Sequence, residues 1–76
     1  MESDIQKINK IALNVFRNAY NGLTLDSWCI QVKNKLNSVD TTQIKKIIEE
    51  IIENYWKVEY IIKNDEKIYV YYDLIK

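Results

Sequence analysis

Histidine and proline are absent, glycine occurs only at Gly22 and cysteine only at Cys29. Without histidine the chain lacks the commonest metal ligand and the commonest general base. With a single glycine it cannot build a Gly-rich phosphate loop of the P-loop or dinucleotide type. One cysteine permits no disulfide within one chain and fits a reducing compartment. No apolar run approaches the roughly 20 residues that a membrane-spanning helix needs. The opening MESDIQKINK lacks the apolar stretch of a signal peptide. A cytoplasmic protein is expected, in the host cytoplasm if the protein is viral. Net charge is missing as well. Eleven basic residues balance eleven acidic ones, whereas most small nucleic-acid binders are basic. That counts against a nonspecific coat for DNA and less against a specific reader, which needs only a local basic surface.

What is present is the composition of a folding chain. The hydrophobic fraction is 47% and the charged fraction 29%, which separates the sequence from disordered chains. Its 76 residues make one small domain, whose modest core demands good packing. Ile, Lys, Asn and Tyr make up about half of the chain. Their codons are A/T-rich at the first two positions, which suggests an AT-rich genome such as that of many viruses and some archaea.

Four segments carry periodic patterns. In residues 4–21, Ile5, Ile8, Ile11, Ala12, Val15, Phe16 and Ala19 recur at helical spacing. Ser3 and Gln6 form a capping box before them, and Asn21-Gly22 offers a left-handed stop after them. In residues 25–37, Leu25, Trp28, Cys29, Val32 and Leu36 share a helical face, with Ile30 nearly opposite. Thr24 caps this helix and Asp26 suits its first turn. Residues 41–55 start after the cap Asp40, with Gln43 three positions on and a hydrophobic staple between Val39 and Ile44. Ile44, Ile47, Ile48, Ile51, Ile52 and Tyr55 form a broad apolar stripe. β-branched residues are mediocre helix formers, so burial must hold this helix, expected to be the most buried of the three.

From residue 57 to residue 74 the period changes from 3.6 to 2, which predicts a β-hairpin. Val58, Tyr60 and Ile62 facing inward opposite Tyr72, Val70 and Ile68 would bury both apolar sets together. That register needs an odd loop, Asn64-Asp65-Glu66. A two-residue Asn64-Asp65 turn would set Lys67 opposite inward Ile62 and flip a face, so the odd loop is favoured. Trp28 and Trp56 are expected in the core, and Cys29 as a small buried hydrophobe rather than a nucleophile.

Three helices and a hairpin, with only a few residues between the second and third helices, resemble the winged helix-turn-helix DNA-binding family. Residues 22–56, GLTLDSWCIQVKNKLNSVDTTQIKKIIEEIIENYW, follow that pattern. The resemblance implies an α+β fold with a C-terminal hairpin wing. Leu23-Thr24 would lend a third strand, residues 37–40 would be the turn, and residues 63–67 the wing tip. The glycines usual near the wing and after the third helix are absent.

In that family the N-terminal residues of the third helix lie near base edges. Here they are Thr41, Thr42, Gln43, Lys45 and Lys46. Gln can bond adenine in a bidentate way, Thr can meet a thymine methyl, and Lys can meet guanine or phosphate. Lys33 and Lys35 could flank a phosphate, and Lys63, Asn64 and Lys67 make a basic wing tip around Asp65 and Glu66. The alternative for each lysine is plain solvation. At 100° per residue, Thr42, Lys46, Glu49 and Glu53 fall near the centre of the outward face, with Glu50 at its edge. The carboxylates should repel phosphate. Either a basic tip enters the groove while the acidic end leans away, or the row is an ordinary solvated face. On the expected register, Ile61 pairs with Tyr69 on the outer face of the hairpin and Tyr71 lies opposite Glu59, a candidate protein interface.

Two functions follow as expectations. The first is a small sequence-specific double-stranded DNA-binding protein, a transcriptional regulator that could read two half-sites as a homodimer. The alternative is a winged-helix adaptor or inhibitor whose acidic face, with Glu49 and Glu53, docks on a basic protein. Catalysis is the weakest reading, because those carboxylates line a convex helix rather than a cleft. No catalytic residue, cofactor or metal ligand is assigned.

Overall fold

A computed structural model describes residues 3–72. Asp73 and Leu74, the end of the expected hairpin, lie outside the described residues. Three helices precede a hairpin: α1 (Asp4–Arg17), α2 (Leu25–Lys35), α3 (Thr41–Asn54), β1 (Val58–Lys63) and β2 (Glu66–Tyr71). The arrangement is α+β and matches a winged helix.

Local chemistry sets the helix starts. Ser3 accepts from the Gln6 backbone N–H while the Gln6 side chain accepts from that of Ser3, closing the capping box. Thr24 accepts from Ser27 N–H at the start of α2. Asp40 caps α3 by accepting from Thr42 N–H at 3.1 Å, one residue earlier than the expected partner Gln43. The ends fall short of the sequence reading. α1 stops at Arg17, not Asn21: the Ala19 N–H bonds the Phe16 carbonyl three residues back at 3.2 Å, and the Asn18 side chain donates to the Asn14 carbonyl of the last turn at 2.8 Å. α2 stops at Lys35 and α3 at Asn54. Gly22 does take the left-handed conformation, with φ +81°, but within the loop rather than as the cap of α1.

The core is shared by the three helices. α1 contributes Ile8, Ala12, Val15 and Phe16, α2 contributes Trp28, Cys29 and Val32, and α3 contributes Ile44, Ile47, Ile48 and Ile51. Helix α3 is therefore no more buried than α1, contrary to expectation, since α1 presents an equally continuous stripe. Ile5, in the first turn of α1, lies outside it and is exposed. Val39 and Ile44 are both buried, as a staple requires. Trp28 stacks on Phe16 with centroids 4.7 Å apart and donates from Nε1 to the Ala12 carbonyl at 3.0 Å. Its one polar atom is thus satisfied in the interior.

The hairpin departs from the expected register. Asn64 and Asp65 have φ of +52° and +64°, and they form the two-residue turn whose twist suits paired strands. Val58 pairs with Tyr71, Tyr60 with Tyr69, Ile61 with Ile68, and Ile62 with Lys67. Tyr69 and Tyr71, assigned to an outer interface, instead pack on the helices. Tyr71 meets Phe16 edge-on at 5.7 Å and Tyr69 approaches Trp28 at 6.4 Å. The feared burial of Lys67 opposite Ile62 does not arise. The tip extends past the core, Ile62 is 63% exposed, and Lys67 Nζ rests 4.6 Å from the Tyr60 ring centroid. Trp56 is a second correction. It sits in the turn before β1, 71% exposed, with Lys57 Nζ 4.7 Å from its ring centroid.

Leu23 bridges β2 as the resemblance implied, exchanging backbone hydrogen bonds with Tyr69 at 2.9 and 2.7 Å. This places β2 between Leu23 and β1, and through β2 the hairpin packs on α1 and α2.

Candidate nucleic-acid interface

The amphipathic character of α3 positions the candidate reading residues. Its isoleucine stripe is fixed against α1 and α2, so the other side of the helix must face outward. Thr41, Thr42, Gln43, Lys45 and Lys46 are all exposed along its first turns. The structure brings these five together on one rigid element. The start of the helix also presents backbone N–H groups without intrahelical partners, a favourable place for phosphate. Glu49, Glu50 and Glu53 are exposed farther along the same helix. The carboxylates diverge, however. Glu50 lines a shallow cleft with Asn9, Leu13, Ile51, Asn54 and Tyr55 on the α1 side. Lys45 and Glu49 lie on the α2 side, close enough to influence the Cys29 thiol.

Lys33 has a role that the sequence did not reveal. Its ammonium donates to the Asn37 carbonyl at 2.8 Å and to the Val39 carbonyl at 2.6 Å. These are backbone acceptors of the turn between α2 and α3, so Lys33 ties the last turn of one helix to the entry of the next. Charge-assisted bonds of this kind are the stronger ones. Lys33 thus sits beside the start of α3 but is engaged within the fold. The only prior signal was its place four residues before Asn37, where a last-turn lysine can meet free carbonyls.

The other candidates sit on different elements. Lys35 is exposed and lines a cleft with Asn14, Asn18, Tyr20 and Gln31 on the α1 side of α2. Lys63, Asn64 and Lys67 are exposed on the wing tip, where Asn64 also supplies the left-handed turn. Lys67 borders a cleft with Thr24, Leu25, Asp26 and Glu66, so the tip leans toward the start of α2. Ile61 is exposed as expected, but its cross-strand neighbour is Ile68 rather than Tyr69.

Two further polar groups are absorbed by the fold. Arg17 donates from Nη2 to the Tyr55 hydroxyl at 3.3 Å and lies 5.8 Å from the Tyr71 ring centroid. The hydrogen bond to Tyr55, with the phenolic charges of Tyr55 and Tyr71, raises the Arg17 pKa, and the same bond lowers that of Tyr55. The cluster joins the ends of α1 and α3 to the hairpin. Cys29 is buried, and desolvation, its largest cause, raises the thiol pKa. This is the opposite of what an activated nucleophile shows.

No family model, curated protein or solved structure matches the chain. Among the described residues, no helix is long and apolar enough to cross a membrane.

Proposed function

We propose that the protein binds double-stranded DNA in a sequence-specific manner, as a small transcriptional regulator, through the N-terminal half of α3. One observation carries the reading: a helix anchored by four buried isoleucines, Ile44, Ile47, Ile48 and Ile51, exposes an uninterrupted polar set at its start. Thr42 and Lys46 lie near the centre of that face, flanked by Gln43 and Lys45. The set combines hydrogen-bonding groups suited to base edges with cations suited to phosphate. The wing lysines Lys63 and Lys67 add backbone contacts. With so few cations, binding is modest, and it weakens as salt rises with a slope of about 0.9 per phosphate contact. The test is a gel shift on AT-rich duplex at low and moderate salt. Wild-type binding that Lys46→Glu abolishes and Glu53→Ala preserves supports the reading. Absence of any duplex affinity at low salt ends it.

A second reading draws on the exposure of Glu49, Glu50 and Glu53 and on the cleft beside Glu50. In that case α3 docks on a basic protein, and the domain is an adaptor or inhibitor. Glu49→Lys combined with Glu53→Lys then abolishes capture of the partner while duplex affinity stays low or rises.

A further inference from the structure

One edge of the wing has its backbone groups turned outward. Both backbone polar groups of Tyr69 bond to Leu23, so they point away from β1. In an antiparallel ladder this makes Tyr60–Tyr69 a pair without mutual hydrogen bonds. Tyr60 therefore directs its own N–H and C=O away from β2, and Ile62, two residues on, does the same. The side chains around this edge are apolar and exposed: 56% for Tyr60, 46% for Ile61 and 63% for Ile62. β1 carries no proline, and its register with β2 is continuous, so two common protections of an edge strand are missing.

We propose that this edge pairs antiparallel with β1 of a second copy, about a two-fold axis at Ile61. Outward-facing groups must meet outward-facing groups, which leaves two neighbouring registers that cover the strand. Centring on Tyr60 sets Lys57 opposite Lys63 of the second copy, with like charges at both ends. Centring on Ile61 sets Glu59 opposite Lys63 of the second copy, with opposite charges at both ends. The same register makes Tyr60 and Ile62 of the second copy exchange backbone hydrogen bonds, and the reciprocal pair does likewise. On the outer face Ile61 meets its own symmetry mate. The half-buried Ile68 of each copy, the cross-strand neighbour of Ile61, flanks that contact. On the other face Tyr60 lies beside Ile62 of the second copy. The charge pattern, the outward backbone groups of Tyr60 and Ile62, which have no partner among the described residues, and the exposed apolar residues select one self-complementary, closed contact.

Sedimentation of the full chain without DNA tests this, and its outcome is separate from that of duplex binding. The wild type is expected to dimerise with rising concentration. Glu59→Lys and Lys63→Glu each place like charges at both ends and weaken the dimer by about tenfold or more. The combination of the two reverses both partners and restores it. Ile62→Pro deletes an outward N–H without removing a bond to β2, and gives a monomer. All three positions are exposed, and circular dichroism verifies that each variant keeps its helices. A wild type that stays monomeric at its highest soluble concentration overturns the proposal. So does a dimer indifferent to the single charge reversals, or a combined variant that fails to recover.

Discussion

Replacing Lys33 with methionine separates a structural lysine from a phosphate-binding one. Lys33→Met keeps an unbranched apolar stem of good helix propensity and deletes only the charged head. Two hydrogen bonds are lost, to the Asn37 carbonyl at 2.8 Å and the Val39 carbonyl at 2.6 Å. Bonds to charged groups contribute about 1.5–3 kcal/mol each in favourable settings. Lys33 is only half-buried, and water can replace part of its role at the freed carbonyls, so about 1–2 kcal/mol for the pair is the reasonable sum. In a domain of this size each 1 kcal/mol moves Tm by about 4–8 °C, and a fall of about 5–15 °C is expected. Urea unfolding followed by tryptophan fluorescence gives the free energy, because Trp28 leaves the core on unfolding. The companion measurement is the salt dependence of duplex binding. One lost phosphate contact lowers the slope by about 0.9, whereas a lysine engaged in the turn leaves it unchanged. Unchanged stability together with a slope reduced by about one contact would refute the structural role.

Gly22→Ala tests how tightly the wing is seated. A β-carbon there would lie 2.6 Å from Ile68 Cγ2 and 3.0 Å from the Tyr69 carbonyl oxygen, at φ +81°. Backbone strain and overpacking together should cost about 2–4 kcal/mol by thermal unfolding; a loss under about 0.5 kcal/mol would show that the loop yields. The two tryptophans should behave oppositely in the same assay. Trp28→Phe removes a buried hydrogen bond and packing volume and costs about 1–3 kcal/mol, whereas Trp56→Phe stays within about 0.5 kcal/mol. For Cys29 the folded pKa lies above its ordinary value of 9.0. Its contribution to stability is therefore intact below that value and is lost as pH rises through the folded pKa. The stability advantage of wild type over Cys29→Ala should shrink above about pH 9 in alkaline urea titrations; a constant difference contradicts the desolvated thiol.

The parts of this fold that were legible in the sequence are those decided locally. Ser3, Thr24 and Asp40 announce helix starts through the short polar side chains that cap them, and the isoleucine spacing of α3 gives its buried face. The helix ends were less legible. The apolar spacing of α1 runs on to Asn21 with Gly22 as its stop, whereas Gly22 is needed in the loop for its close approach to Ile68 and Tyr69. Apolar alternation favours the other hairpin register because it counts every apolar residue as needing burial. The left-handed tolerance of Asn64 and Asp65 decided the turn, and at a tip beyond the core exposed Ile62 and Lys67 carry little penalty. Once the register shifts, Tyr69 and Tyr71 leave the candidate interface for the core. The size of Trp56 predicts burial, yet its position in a connecting turn leaves it exposed. On the candidate DNA surface, the residues of α3 were readable from helical periodicity alone. The attachment of Lys33 to two carbonyls depends on the path of the turn, which periodicity does not specify.

Duplex affinity measured at two salt concentrations, for wild type and Lys46→Glu side by side, is the decisive measurement for DNA recognition by α3. Wild type is expected to bind at low salt and to weaken as salt rises, and Lys46→Glu is expected to show no measurable binding. Equal behaviour of the two proteins, or no wild-type binding at low salt, would contradict it.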